Sequence, residues 1–233
     1  TGSGAFMKEI EDAKKLAGNL INTAKAFDKK VMALITDMNQ PLGNYIGNWL
    51  EVLESIKVLN GEKVPDLYEV SINIAGAMIY LGGKAESLEE GKELSAELIN
   101  NGKAFNKFMQ IVELQNGDIS LLRNPEKYPA SHHIEKIYAR ESGYLSEVDN
   151  YEVGMSALEL GAGRKTKEDI IDPKAGIIFY PKIGDFVKAD SLIAELHTDN
   201  KEAIEGSKTQ LLSALQFAAE KPAAPQLIKD IIE

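Results

Sequence analysis

The sequence predicts an α/β fold in two parts, residues 1–128 and residues 130–233, and three observations carry that reading. A glycine-rich turn, Thr1 to Met7 (TGSGAFM), runs into an amphipathic segment and then an apolar run, the turn, helix, strand order of a crossover unit. From about Ser131 the texture changes to short β-rich pieces separated by Gly and Asp. Between the two lies Arg123 to Ala130 (RNPEKYPA), where Pro125 and Pro129 each disfavour helix in the residue before them and mark a linker.

The elements follow in order. Ile10, Ala13, Ala17, Leu20, Ile21, Ala24 and Phe27 recur at helical spacing, which predicts an amphipathic helix from Met7 to Phe27. Val31 to Thr36 (VMALIT) reads as a short buried strand, of the kind found in a sheet covered on both faces. Asp37 to Gly43 (DMNQPLG) is a loop, and Tyr45, Trp49, Val52, Leu53 and Ile56 return to helical spacing. A helix from Asp66 to Leu81 is closed by Gly82 and Gly83; another opens at Ser87, with Glu90 three residues on in a capping-box pattern. In the second part HHIEKIYA, GYLSEVD, GIIFYP and LIAELH read as strands, Tyr151 to Leu160 as a helix, and Glu202 to Phe217 as a second helix.

Composition narrows the partners. With 36 acidic against 26 basic residues, the net charge of -10 opposes binding to nucleic acid or to an anionic membrane face. Absence of cysteine excludes disulfides, thiolate nucleophiles and cysteine-ligated zinc, and agrees with a cytoplasmic location. No apolar run approaches the roughly 18 residues of a membrane span, and no signal peptide opens the chain. A glycine turn at the start, without an initiator methionine, is expected of the middle of a larger protein.

Gly2-Ser3-Gly4-Ala5 before a helix has the form of an anion cradle, yet it matches neither GxGxxG nor GxxxxGK[ST], and a tight turn explains the glycines as well. His132, His133 and His197 lack metal-site spacing and read as surface or turn residues. Arg164, Lys165 and Lys167 are followed by Glu168 and Asp169 and read as a solvated loop.

Three longer stretches carry a resemblance: GSGAFM at Gly2 to Met7, TDMNQPLGNYIGNWLEVLES at Thr36 to Ser55, and GYLSEVDNYEVGMSALELGAGR at Gly143 to Arg164. Together, in identity and order, they resemble pyrimidine-nucleoside phosphorylases of the thymidine phosphorylase type; the archaeal nucleotide-phosphorylase branch fits GSGAFM and DMNQ less well. The resemblance implies that residues 1–128 are the later part of a central mixed-sheet α/β domain. Residues 130–233 would then be a small α+β C-terminal domain of β-hammerhead or barrel-sandwich shape.

What the resemblance implies for function is reversible phosphorolysis of thymidine, uridine or deoxyuridine, with inorganic phosphate as co-substrate and no organic cofactor, by a cytoplasmic homodimer. The family's phosphate- and base-binding Lys, Ser, Thr, His and Arg residues lie upstream of these motifs, so no catalytic residue is expected in this chain and the chain alone is expected to be inactive. Phe6 matches the position where the family sets an apolar side chain against the pyrimidine ring; the alternative for it is a core residue. Leu42 and Tyr45, through their backbone carbonyls, and Glu54, through its carboxylate, match a monovalent cation site for K+, although Tyr45 is bulkier than the small residue usual there. Oxygen-only ligation suits such a hard cation.

A competing reading is a non-catalytic carrier or binding module. Gly184 to Lys201 (GDFVKADSLIAELHTDNK) resembles the hairpin of lipoyl and biotinyl carriers, but Asn200 stands where the modified lysine belongs and Lys201 is one residue late. A one-residue slip turns a strand side chain to the other face, so Lys201 is expected to be unmodified.

Overall fold

The computed structural model describes residues 1–233. Helix α1 (Ile10–Ala26) starts three residues later than its periodicity suggests, because Gly2 to Met7 fold on themselves: the Ala5 N–H donates to Gly2 O at 3.1 Å and the Gly2 N–H to Lys8 O at 3.0 Å. Strand β1 (Ala33–Thr36) follows, then the two-residue β2 (Tyr45–Ile46) and helix α2 (Asn48–Leu59). Pro65 opens α3 (Pro65–Leu81), where its missing N–H and fixed φ are tolerated.

Helix α4 (Leu88–Asn100) is capped by Ser87, whose side chain accepts from the Glu90 N–H at 3.2 Å. The Glu90 carboxylate reaches the Glu86 N–H at 2.6 Å, one residue before the position a reciprocal capping box would use. Helices α3 and α4 cross closely because both are glycine at the contact: a Cβ on Gly91 would lie 2.3 Å from Gly76 O. Helices α5 (Lys103–Leu114) and α6 (Ile119–Arg123) complete the first part, and a short turn of 3-10 helix over Pro125–Lys127 leads out of it. Tyr128 then stacks on Trp49 of α2, ring centroids 4.0 Å apart.

The second part holds β3 (His133–Tyr138), β4 (Gly143–Val148), α7 (Asn150–Ala157, running on through a π turn to Ala162), β5 (Gly176–Phe179), β6 (Phe186–Val187), β7 (Leu192–Thr198), α8 (Ala203–Ser213), β8 (Leu215–Ala218) and β9 (Ile228–Ile232). Asp149 caps α7 by accepting from the Tyr151 and Glu152 amides. The strands form three antiparallel sheets in the orders β2-β5-β7-β3, β6-β4-β8 and β1-β9. A core of 17 buried residues, including Leu145, Ile177, Phe179, Leu196 and Leu211, fills the space between the four- and three-stranded sheets and helices α7 and α8. Helices α7 and α8 meet through buried Ser156 and Ser207, each hydroxyl bonded to the other's backbone carbonyl at 2.9 and 3.0 Å.

Strand β1 buries only Ile35 and pairs with β9 from the far end of the chain, Ile35 opposite Asp230. Two expectations are corrected. The helix expected to Phe217 stops at Ser213: Leu215 is buried, Gln216 exposed and Phe217 half-buried, a period of two that pairs with β4 as β8. The carrier-like hairpin is not a hairpin, since β6 pairs with β4 while β7 pairs with β3 and β5, and Lys201 lies exposed in the turn that opens α8.

Candidate functional site

The loop from Asp37 to Tyr45 joins the two parts, and its polar residues are spent on doing so. The Asp37 carboxylate, buried, pairs with Lys229 of β9 at 2.7 Å and accepts from Asn39 Nδ2 at 2.7 Å. Asn39 Oδ1 in turn accepts from the Ser3 N–H at 3.1 Å, and Met38 O accepts from both the Gly4 N–H and Asn150 Nδ2, each at 3.1 Å. Ser3 Oγ accepts from the Asn150 N–H at 2.9 Å. Gly2 has φ +114°, and an added Cβ would lie 2.5 Å from Asn39 Oδ1, so only glycine fits. The amides of Gly2 to Ala5 therefore all donate within the protein, which makes this segment a docked turn and not an open anion cradle.

Beyond Gln40, whose Oε1 accepts from the Ile183 N–H at 2.8 Å, the loop wraps around two carboxylates. Glu54, on the second turn of α2, is 2% exposed; its Oε1 accepts from the Asn44 N–H at 2.8 Å and its Oε2 from the Tyr45 N–H at 3.3 Å. Burial pushes the Glu54 carboxyl above its ordinary range, against the opposing pull of those two amides and of the Lys182 charge. Gly43, at φ +69°, leaves no room for a side chain, since a Cβ there would lie 2.1 Å from Glu54 Oε2. Asp66, in the first turn of α3, accepts from the Gly43 N–H at 3.0 Å and pairs with Lys182 at 2.7 Å. Lys182 Nζ also donates to Pro41 O at 2.7 Å and to Gly43 O. On the far side, Asn44 O accepts from the Phe179 N–H of β5 at 2.7 Å.

The structure thus brings Leu42, Tyr45 and Glu54 to one place, beside a cavity of about 350 Å³ that all three line together with Asn150 and Val153. Leu42 O accepts no hydrogen bond, and Glu54 is held by the Asn44 and Tyr45 amides with the Lys182 charge acting on it as well; oxygen donors of this kind are those a hard monovalent cation takes. The bulk of Tyr45 is accommodated along α2, where Lys57 Nζ donates to its hydroxyl at 2.7 Å.

Phe6 is 93% exposed in this chain and is not among the residues lining that cavity. His197 corrects its expectation as well: it lies within β7 and largely buried, its Nε2 without a hydrogen-bond partner and 3.7 Å from Glu195. His132 is exposed and adjoins Asp199 at 3.2 Å. The basic loop is exposed, with the Lys165 and Thr166 amides closing onto Asp169.

Sequence reasoning does not reach Asp66 and Lys182: locally Asp66 is a helix start and Lys182 the residue after a strand. Their one shared signal is opposite charge beside a proline at Pro65 and Pro181, too common a pattern to single them out.

Residues 1–105 match the glycosyl transferase family a/b domain, and residues 144–218 match the pyrimidine nucleoside phosphorylase C-terminal domain. The two in this order define an α/β protein with a glycosyl transferase family a/b domain followed by a phosphorylase-type C-terminal domain. Pyrimidine-nucleoside phosphorylases of Staphylococcus epidermidis, Geobacillus stearothermophilus and Staphylococcus aureus are each 39% identical over 232 residues, covering 100% of this chain and 53% of theirs. The chain belongs to the pyrimidine-nucleoside phosphorylase family. It spans about half the length of the curated relatives it matches. No helix is long and apolar enough to cross a membrane.

Proposed function

We propose that the protein to which this chain contributes catalyses reversible phosphorolysis of pyrimidine nucleosides. Inorganic phosphate attacks the anomeric carbon of thymidine, uridine or deoxyuridine, the glycosidic bond breaks, and free base and (deoxy)ribose 1-phosphate leave. The observation that carries this is the 39% identity to pyrimidine-nucleoside phosphorylases along the whole chain. The reaction requires phosphate held in line with the glycosidic bond, donors for the negative charge growing on the departing base, and exclusion of water.

Within this scheme the chain's contribution is support. Phe6 offers an exposed ring for apolar contact with the base. The Leu42 and Tyr45 carbonyls and the Glu54 carboxylate hold K+, which supplies fixed positive charge near the phosphate. Location in the cytoplasm and assembly as a homodimer belong to the same reading.

The test is phosphate-dependent release of thymine from thymidine and uracil from uridine and deoxyuridine. It compares these 233 residues alone with a polypeptide of the relatives' length that contains them. Release by the longer protein only is expected. No release by either sinks the phosphorolysis reading, and release by the shorter one sinks the view that its residues are supporting ones.

A further inference from the structure

Lys182 reaches from the loop after β5 into the first part of the molecule, and its ammonium is surrounded by oxygens. Pro41 O and Gly43 O accept from it, and Asp66 Oδ2 pairs with it at 2.7 Å. Two carbonyls and a carboxylate are the ligand set of a hard monovalent cation, here filled by a side chain. The Lys182 side chain is 21% exposed and that of Asp66 13%, so water screens the pair only in part.

The contacts lock the loop in a defined way. Asp66 Oδ2 receives both the ammonium and the Gly43 N–H, so one carboxylate fixes a carbonyl through Lys182 and an amide directly within the same residue. Asn44 and Tyr45, the next two residues, give their amides to Glu54. Two carboxylates, Glu54 buried and Asp66 partly so, therefore face one short loop, and Lys182 is the full positive charge set among them; Lys57, the other cation nearby, is turned to the Tyr45 hydroxyl. Lys182 itself is held from behind, its N–H donating to Asp185 at 2.8 Å and the neighbouring Ile183 N–H to Gln40 at 2.8 Å.

We propose that Lys182 is a tethered monovalent cation. It orders residues 41–45 from the second part of the molecule, and when its charge is removed a free cation of similar size takes its place between Pro41 O, Gly43 O and Asp66. Potassium and ammonium are suited to that replacement; tetramethylammonium, too large and without donors, is not. Lys182 acts through the loop and is a positioning residue. The cage's oxygens, of Pro41, Gly43 and Asp66, are different atoms from those of the Leu42, Tyr45 and Glu54 donor set that the loop also carries.

The experiment is hydrogen exchange at the Gly43, Asn44 and Tyr45 amides in wild type and Lys182→Met, in potassium, ammonium or tetramethylammonium chloride at equal ionic strength. In tetramethylammonium the variant's loop amides should exchange about tenfold or more faster than wild type, as loss of charge-assisted hydrogen bonds implies. Potassium or ammonium should return them towards wild-type rates, while amides of α7 and α8 stay unchanged. Unaltered exchange in the variant, or a loss that no small cation restores, overturns the proposal. Potassium dependence of the wild-type loop instead reports the Leu42, Tyr45 and Glu54 site, so rescue of Lys182→Met supports the cage only where it exceeds the wild type's own response to potassium, and a rescue no larger than that response overturns it. If Lys182→Met does not fold, Asp66→Asn serves: faster loop exchange that potassium leaves uncorrected supports the cage, and unaltered exchange sinks it.

Discussion

The two parts of the chain store their folding free energy differently. Residues 137–215 enclose a continuous core in which Leu145, Ile177, Phe179, Leu196 and Leu211 are fully removed from water. The first part has no such centre: α5 buries none of its residues, and Leu20 and Phe27 of the α1 segment, Met78 of α3 and Leu114 of α5 stand more than half exposed. The difference teaches that, in a chain about half the length of its relatives, the second part is self-contained while the first leaves apolar faces uncovered. What the first part does bury, Leu50, Ile56, Val58, Val70 and Ile72 among it, is joined by close backbone approach at Gly76 and Gly91 and by polar anchoring of one loop to the second part.

The largest expected effect tests the second part's core. Leu196→Ala removes a fully buried side chain from the central strand of the four-stranded sheet and should cost about 2–5 kcal/mol. Chemical denaturation followed by circular dichroism measures the loss. Because β2 pairs with β5 and β9 returns to β1, helices and sheets should melt together. Helical signal persisting after the sheets have melted would break the picture of two parts locked by strand exchange.

A smaller effect sharpens the same contrast. Gly91→Ala places a methyl 2.3 Å from Gly76 O, backbone against backbone, and should destabilise by about 1–3 kcal/mol although alanine is the better helix former. Gly18→Ala, on α1 with nothing within 4 Å of the added carbon, should instead stabilise by about 0.5–1 kcal/mol. Opposite signs from one substitution, read as shifts in thermal midpoint, are the expected result. Stabilisation by both would mean that the α3–α4 contact contributes nothing beyond helix propensity.

What could be read from sequence was local. Pro65 at a helix start, Ser87 with Glu90, and the strands of HHIEKIYA, GYLSEVD, GIIFYP and LIAELH need only a few neighbouring residues to declare themselves, and the structure has helices and strands there. What failed depended on distant partners. Nothing near Val31 to Thr36 reveals that its mate is Ile228–Ile232, and LQFA becomes a strand only because β4 offers an edge. The site divides the same way: Leu42, Tyr45 and Glu54 came from one stretch, whereas Asp66 and Lys182 are 116 residues apart (182 less 66) and meet only in the folded chain.

The smallest expected effect concerns His197, which the sequence placed at the surface and the fold buries in β7. Burial lowers its pKa below the ordinary 6.5, and Glu195 only partly opposes this. As the pH falls through 6.5 the unfolded chain takes up a proton before the folded one does. The stability that neutral His197 confers is therefore present above 6.5 and is lost as the pH drops below it, towards the folded-state value. Thermal midpoints of wild type and His197→Gln across this range measure the term, and the variant should lose less on acidification. Parallel curves would show that the imidazole titrates alike in both states, and with that the enclosed character of the second part at β7 would be in error.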